Sequence, residues 1–259
     1  MRSRFTVWRI VVALTVAVTV VVLSGVTAAA VVNYAFSVPV QRDFDFATDS
    51  EVDVAAMMVK TNSTDIVVSE SPDDRLHVSV RGSYRGGDPE VTVGAGGSEV
   101  AVECPEGKFW RCGLTTLVQV PAGLNVAVVG TKSNIELVGL RGDTTVATTL
   151  GSAFVRNHMG ALTVTTTVGD ISVSGAEASS ININTTKGSI FVDAAVAPES
   201  MNVRSAFGNN MITVPSTVDY NIDARSAKGV VRTDVVDNPA SPRRMIVASD
   251  HGDIFIGPR

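Results

Sequence analysis

The chain has 259 residues, 45% hydrophobic but only 5% aromatic, and a formal net charge of −5. Taking away the three positive charges of Arg2, Arg4 and Arg9 leaves the rest at about −8, which argues against nucleic acid or anionic lipid as a ligand of the folded part. His77, His158 and His251 are scattered, two cysteines cannot complete a tetrahedral zinc site, and no phosphate-binding glycine loop is present, so no metal or nucleotide cofactor is expected.

Residues 1–9 read as a short cytoplasmic arm. Ile10 to Val32 are 23 consecutive uncharged, mostly apolar positions. As a helix they would span about 35 Å, enough for a hydrocarbon core of about 30 Å. The preceding arginines predict a single-pass signal-anchor in the cytoplasmic membrane, with the N-terminus inside and the remainder extracytoplasmic. Ala28-Ala29-Ala30 offers the rival outcome, cleavage and secretion. The apolar stretch is longer than a signal peptide needs, which favours the anchor. A linker follows over 33–43, then a β domain over 44–256 and a tail of 257–259.

Within that domain, Met57 and Val59, Ile66 and Val68, then Leu76, Val78 and Val80 alternate with the strand period. Arg85 to Pro89 reads as a turn, and Val91, Val93, Val100 and Val102 resume the alternation. Cys104 and Cys112 are the only cysteines, and outside the membrane an even pair closing a short loop is most simply a disulfide. The loop carries Phe109, Trp110 and Arg111, which makes it a candidate binding surface. A stapled hairpin covering the end of the domain explains the same residues.

From Val126 onward one unit repeats. Gly151, Gly169, Gly188, Gly208, Gly229 and Gly252 are 18, 19, 20, 21 and 23 residues apart, and Ser133 holds the same slot one copy earlier. Apolar residues stand seven and five positions before the slot, as in Leu162 and Val164, and two and four after it, as in Ile171 and Val173. Each copy is therefore two short strands around a corner. A hydroxyl three before every glycine, from Thr148 to Ser249, predicts a column of hydrogen bonds along a stack of coils. The copy at Gly208 needs one inserted residue before Ile212 and Val214, and the copy at Gly229 offers only Val231 and Thr233. A sandwich or barrel also suits many short strands, but hairpins would not put glycine and hydroxyl in the same slot of every copy. The predicted fold is all-β, a single-domain β-solenoid stacked in chain order.

Chemistry is sparse. Asp170 and Asp253 share the slot after glycine, four coils apart in chain order or about 19 Å, beyond the reach of a glycosidase pair. Arg141-Gly142-Asp143 spells an attachment tripeptide at a predicted turn, and Asn62 and Asn184 begin glycosylation sequons. Lys187 and Lys228 share the outward slot before glycine and join the loop as candidate contacts. No catalytic residues stand out.

Val120-Pro121-Ala122-Gly123, Ser133-Asn134-Ile135, Val168-Gly169-Asp170-Ile171 and His251-Gly252-Asp253-Ile254 together resemble the bacterial putative adhesin family, a domain of unknown function with repeated Gly-Asp-Ile corners. The resemblance covers roughly 44–256. It implies a β-solenoid outside the cytoplasmic membrane and brings no catalytic residues. Val230 after Gly229, and Ser152-Ala153 after Gly151, depart from the motif. The expected function is a membrane-anchored, non-enzymatic envelope solenoid that binds an envelope protein or glycan. An envelope scaffold acting through membrane partners and a polysaccharide-active enzyme are the alternatives.

Overall fold

The computed structural model describes residues 41–107 and 111–259, so the predicted anchor over 10–32 lies outside the described residues. Among those described, no helix is long and apolar enough to cross a membrane. In chain order the first strands are β1 (Gln41–Ser50), β2 (Ala56–Thr61), β3 (Asp65–Glu70), β4 (Leu76–Arg85), β5 (Glu90–Val93), β6 (Glu99–Glu103) and β7 (Arg111–Val120). Strand pairs follow: β8 (Asn125–Lys132) with β9 (Ile135–Val138), β10 (Thr144–Leu150) with β11 (Ala153–Arg156), β12 (Leu162–Val168) with β13 (Ile171–Ala176), and β14 (Ser180–Lys187) with β15 (Ile190–Ala194). The last are β16 (Ser200–Phe207) with β17 (Asn210–Val214), β18 (Asn221–Lys228) with β19 (Val231–Thr233), and β20 (Arg244–His251) with β21 (Ile254–Pro258).

One member of each pair joins a 10-stranded sheet and the other an 11-stranded sheet, here the first and second sheets. From β2 and β3 onward successive coils pair in parallel and in equal slots: Val146, Val164, Ile183, Val203 and Val247 line up across the first sheet. Val155, Val173, Val192, Ile212 and Ile256 do so across the second. All of these are buried, and the period of two leaves their neighbours facing water. Each such aliphatic chain withdrawn from water contributes on the order of 1.5–3 kcal/mol before the entropy of ordering is subtracted.

At the corners the hydroxyls bond along the stack, mostly to backbone. Thr166 Oγ1 donates to Gly151 O at 3.2 Å, Thr185 Oγ1 to Gly169 O at 3.2 Å, and Ser226 Oγ to Gly252 O at 2.8 Å. Glycine is required there for space as well as for conformation. Gly169 sits at φ 153°, and a Cβ on it would run into the carbonyl of Gly151 in the coil beside it.

Two expectations are corrected. The coils do not stack in chain order: β20 and β21 lie between the β16–β17 and β18–β19 coils, so the Gly229 copy is the last layer. Burial explains the exchange. Met245, Val247, Ile254 and Ile256 are fully buried in their inner layer, whereas the Gly229 copy brings only Ile222, Ala224, Val231 and Thr233, and the weaker copy is left at the end. The Gly208 copy, in turn, needs no inserted residue. Asn210 takes the inward slot opposite Ile190 and Ile254, is buried, and donates from Nδ2 to Ala248 O at 3.2 Å.

The far end is built differently. There β4 pairs antiparallel with β7, β1 lies outside β4, and β5 closes antiparallel on β6.

Candidate binding surface

The polar residues after each glycine are already engaged. Ser152 N donates to Asn134 Oδ1, Asp170 N to Ser152 Oγ, Ser189 N to Asp170 Oδ1 at 2.7 Å, and Asn209 N to Ser189 Oγ. The ladder continues as Asp253 N to Asn209 Oδ1 at 2.8 Å and Val230 N to Asp253 Oδ1 at 2.8 Å. Each side chain accepts the N–H of the same slot one coil on, which is why Asn, Ser and Asp recur there. Val230 ends the ladder because its coil is the last and has no neighbour to serve. In the observed order Asp170 and Asp253 are three coils apart, about 14 Å rather than 19 Å, still too far to act as a pair.

The attachment tripeptide is likewise tied into the stack. Asp143 Oδ1 accepts Ala161 N at 2.9 Å, and Arg141 pairs with Glu70 at 3.4 Å. His158, between β11 and β12, is buried, and desolvation holds its imidazole below the usual range, hence neutral. Near the closed end the two ring nitrogens of His77 each stand 2.7 Å from a carboxylate oxygen, of Asp49 in β1 and of Asp73. Those partners raise the His77 pKa, while Ser71 and then His77 hold Asp73 down to about 2. This cluster fastens β1 to β4.

Cys104 and Cys112 are joined by a disulfide with Cα atoms 6.1 Å apart. Asn62 braces the bridge, donating from Nδ2 to Cys104 O at 2.7 Å and accepting Cys104 N at 2.9 Å. Phe109 and Trp110 lie outside the described residues. Arg111 opens β7 and, with Glu106, Pro105 and Lys132, borders an open cleft of about 460 Å³. Lys187 sits in an outward column whose members in stack order are Lys132, Leu150, Val168, Lys187, Phe207, His251 and Lys228. Three lysines therefore recur at every third coil. Between the last two, the Phe207 and His251 rings stack with centroids 4.6 Å apart. Their contact exists only because β20 lies on β16.

A second outward column is absent from the sequence-predicted sites. The position three after the glycine places Phe154, Ser172, Phe191, Met211 and Phe255 side by side on the outer face of the second sheet. Phe154, Phe191 and Met211 are 40%, 38% and 49% exposed, Phe191 and Met211 on neighbouring coils and Phe154 set apart from them by Ser172. Phe255 lies over Gly257 on its own strand, with the Arg232 guanidinium 5.8 Å from its centroid. Glu136 and Arg232 bound the row. The outer face of the first sheet carries Thr145, Thr163, Asn182 and Asn202 in register, beside the lysine column in which Leu150, Val168 and Phe207 are exposed as well.

Stacked parallel coils, hydroxyl-to-carbonyl corners and a side-chain ladder after each glycine define a β-solenoid of one repeated unit. Over residues 54–256 the chain matches the Toastrack DUF4097 family, and it belongs to that family. A solved putative adhesin from Bacteroides fragilis NCTC 9343 aligns at 14% identity with a TM-score of 0.47, covering 83% of this chain and 97% of its own. A putative cell adhesion protein from Clostridium sporogenes ATCC 15579 aligns at 11% identity with a TM-score of 0.36, covering 84% and 100%. No curated protein sequence matches the chain.

Proposed function

We propose that the chain is a membrane-anchored, non-enzymatic module of the bacterial envelope that binds an envelope protein or glycan through the outer face of its second sheet. The observation that carries this reading is the row of Phe154, Phe191 and Met211, all exposed, continued by the half-buried Phe255. A rigid sheet presents it without further ordering cost; Phe191, Met211 and Phe255 stand on successive coils about 4.8 Å apart and Phe154 two coils from Phe191, so an extended ligand can meet several at once. The acids in the repeat slots are engaged as backbone acceptors, which supports binding over hydrolysis.

Retention of envelope proteins and cell-wall glycan on the immobilised chain tests the assignment. The double variant Phe154→Ser/Phe191→Ser should lose at least about tenfold in retention, while its melting temperature changes little because both rings face solvent. Arg111→Ala should retain the partner. Equal recovery with the double variant would remove the face from consideration, and loss with Arg111→Ala alone would move the site to the disulfide loop.

A further inference from the structure

The outward row of the second sheet reads almost the same from either end. From β9 to β19 its members in stack order are Glu136, Phe154, Ser172, Phe191, Met211, Phe255 and Arg232. Rings hold alternate places, an acid closes one end and a base the other. The exchange of the last two coils creates this order. In chain order Arg232 would precede Phe255, and Glu136 would match a ring instead of the base.

Two such faces can meet about a two-fold axis lying between them, and two directions of that axis keep the strands of both sheets aligned. With the axis along the stack each coil meets itself, so Glu136 faces Glu136 and Arg232 faces Arg232. With the axis along the strands at Phe191 the two stacks run in opposite directions. Glu136 then faces Arg232 of the second copy, Phe154 faces Phe255, the small Ser172 faces Met211, and Phe191 faces itself. Charge therefore selects the second arrangement. Each end also brings a second pair, because Glu136 stands 2.9 Å from Arg156 and Arg232 stands 2.9 Å from Asp234. Joined across the interface, the four charges alternate in sign. Asp193 beside Phe191 would meet its own copy, but Arg259 at 3.2 Å offsets its charge in each chain.

We propose that this face binds a second copy of the chain, with the two stacks antiparallel about the axis at Phe191. The proposal rests on the reading of the face as the binding surface and names its partner. Seven coils at about 4.8 Å and strands of about five residues give a face of about 34 Å by 16 Å. Covering it on both chains removes on the order of 1,000 Å² from water, the size at which specific interfaces begin. Rings at the centre and charges at the rim are the distribution such interfaces show.

The full-length chain in detergent, weighed by analytical ultracentrifugation over a concentration series, tests the pairing. The native chain should reach twice its mass. Glu136→Arg and Arg232→Glu should each weaken the dimer at least about tenfold, because each variant meets like charge at both ends of the interface. An equal mixture of the two variants should recover the double mass, since the mixed pair again joins opposite charges at both ends. Phe154→Ser/Phe191→Ser should stay single, with the strand content of the native chain by circular dichroism. A native chain of single mass throughout, a dimer indifferent to these variants, or a mixture that stays single would overturn the proposal. The retention experiment separates that failure from failure of the face itself. If the native chain is single but loses retained protein or glycan with Phe154→Ser/Phe191→Ser, the second copy is overturned and the face keeps another ligand. If neither mass nor retention depends on those rings, both readings fall.

Discussion

The two ends of the stack solve one problem in opposite ways. At the β1 end the chain turns antiparallel, adds β1, β4 and β5 outside the parallel coils, fastens β1 through His77, and staples the β6–β7 connection with the Cys104–Cys112 bridge. Leu76, Val78 and Val80 of β4 are buried there as completely as any residue in the middle. At the β18–β19 end no such elements are added. The inward residues Val231 and Thr233 stay exposed, and Ile222 and Ala224 are only partly covered. A solenoid needs an atypical unit wherever stacking stops. One end meets that need with extra structure and the other with a copy too weak to be placed inside.

The sharpest way to break this contrast is to place one charge at each end. Leu76→Asp buries a carboxylate without a partner and should cost more than about 4 kcal/mol in urea unfolding, enough to prevent folding. Ile171→Asp, in the middle, should behave the same way. Ile222→Asp should cost less than about 1.5 kcal/mol, measured in dilute solution where the chain is single, because its side chain can turn to water. Equal losses at Leu76 and Ile222 would mean that the last coil is as well covered as the first.

Much of this was legible in the sequence because stacking is a local code. A slot that faces inward in one coil faces inward in its neighbour, so Leu162 and Val164 or Ile171 and Val173 announce the core without knowledge of the rest. Which coil neighbours which is a different kind of fact. It depends on the total apolar area each arrangement buries, and chain order gave the wrong layer for the Gly229 and Gly252 copies. The signal was nonetheless present: the copy with Ala224, Thr233 and Val230 in its slots is the one with least to bury and no side chain to offer a further coil. Asn210 misled for a related reason, since a polar residue in a core slot looked like an insertion. The outward row through Phe191 was overlooked because the period of two draws attention to the inner face, and the partners in the row come from different coils.

The disulfide provides a second probe of the difference. Replacing both cysteines, Cys104→Ser/Cys112→Ser, releases a loop closed over a sequence separation of 8 and should cost about 2–3 kcal/mol. Hydrogen exchange should show where that loss falls. Protection should drop in β4, β6 and β7 and stay unchanged in β18 to β21, because the bridge constrains only the closed end. A uniform loss across all strands would show that the two ends open as one cooperative unit.

The smallest effects separate an inner rung of the ladder from its last. Asp170→Ala deletes the acceptor of Ser189 N, whose bond is 2.7 Å long but exposed, and should cost about 1 kcal/mol by urea titration. Asp170→Asn keeps a carbonyl oxygen in place and should cost less than half of that, which distinguishes acceptance of the N–H from any need for charge. Val230→Asp completes the motif in the one copy that lacks it. If slots acted independently, it would stabilise by the amount that Asp170→Ala loses. Because no coil lies beyond Gly229 to donate an N–H, the change should stay within about 0.5 kcal/mol for the single chain. A full gain from Val230→Asp would require a donor above the last coil, and the end would then not be open.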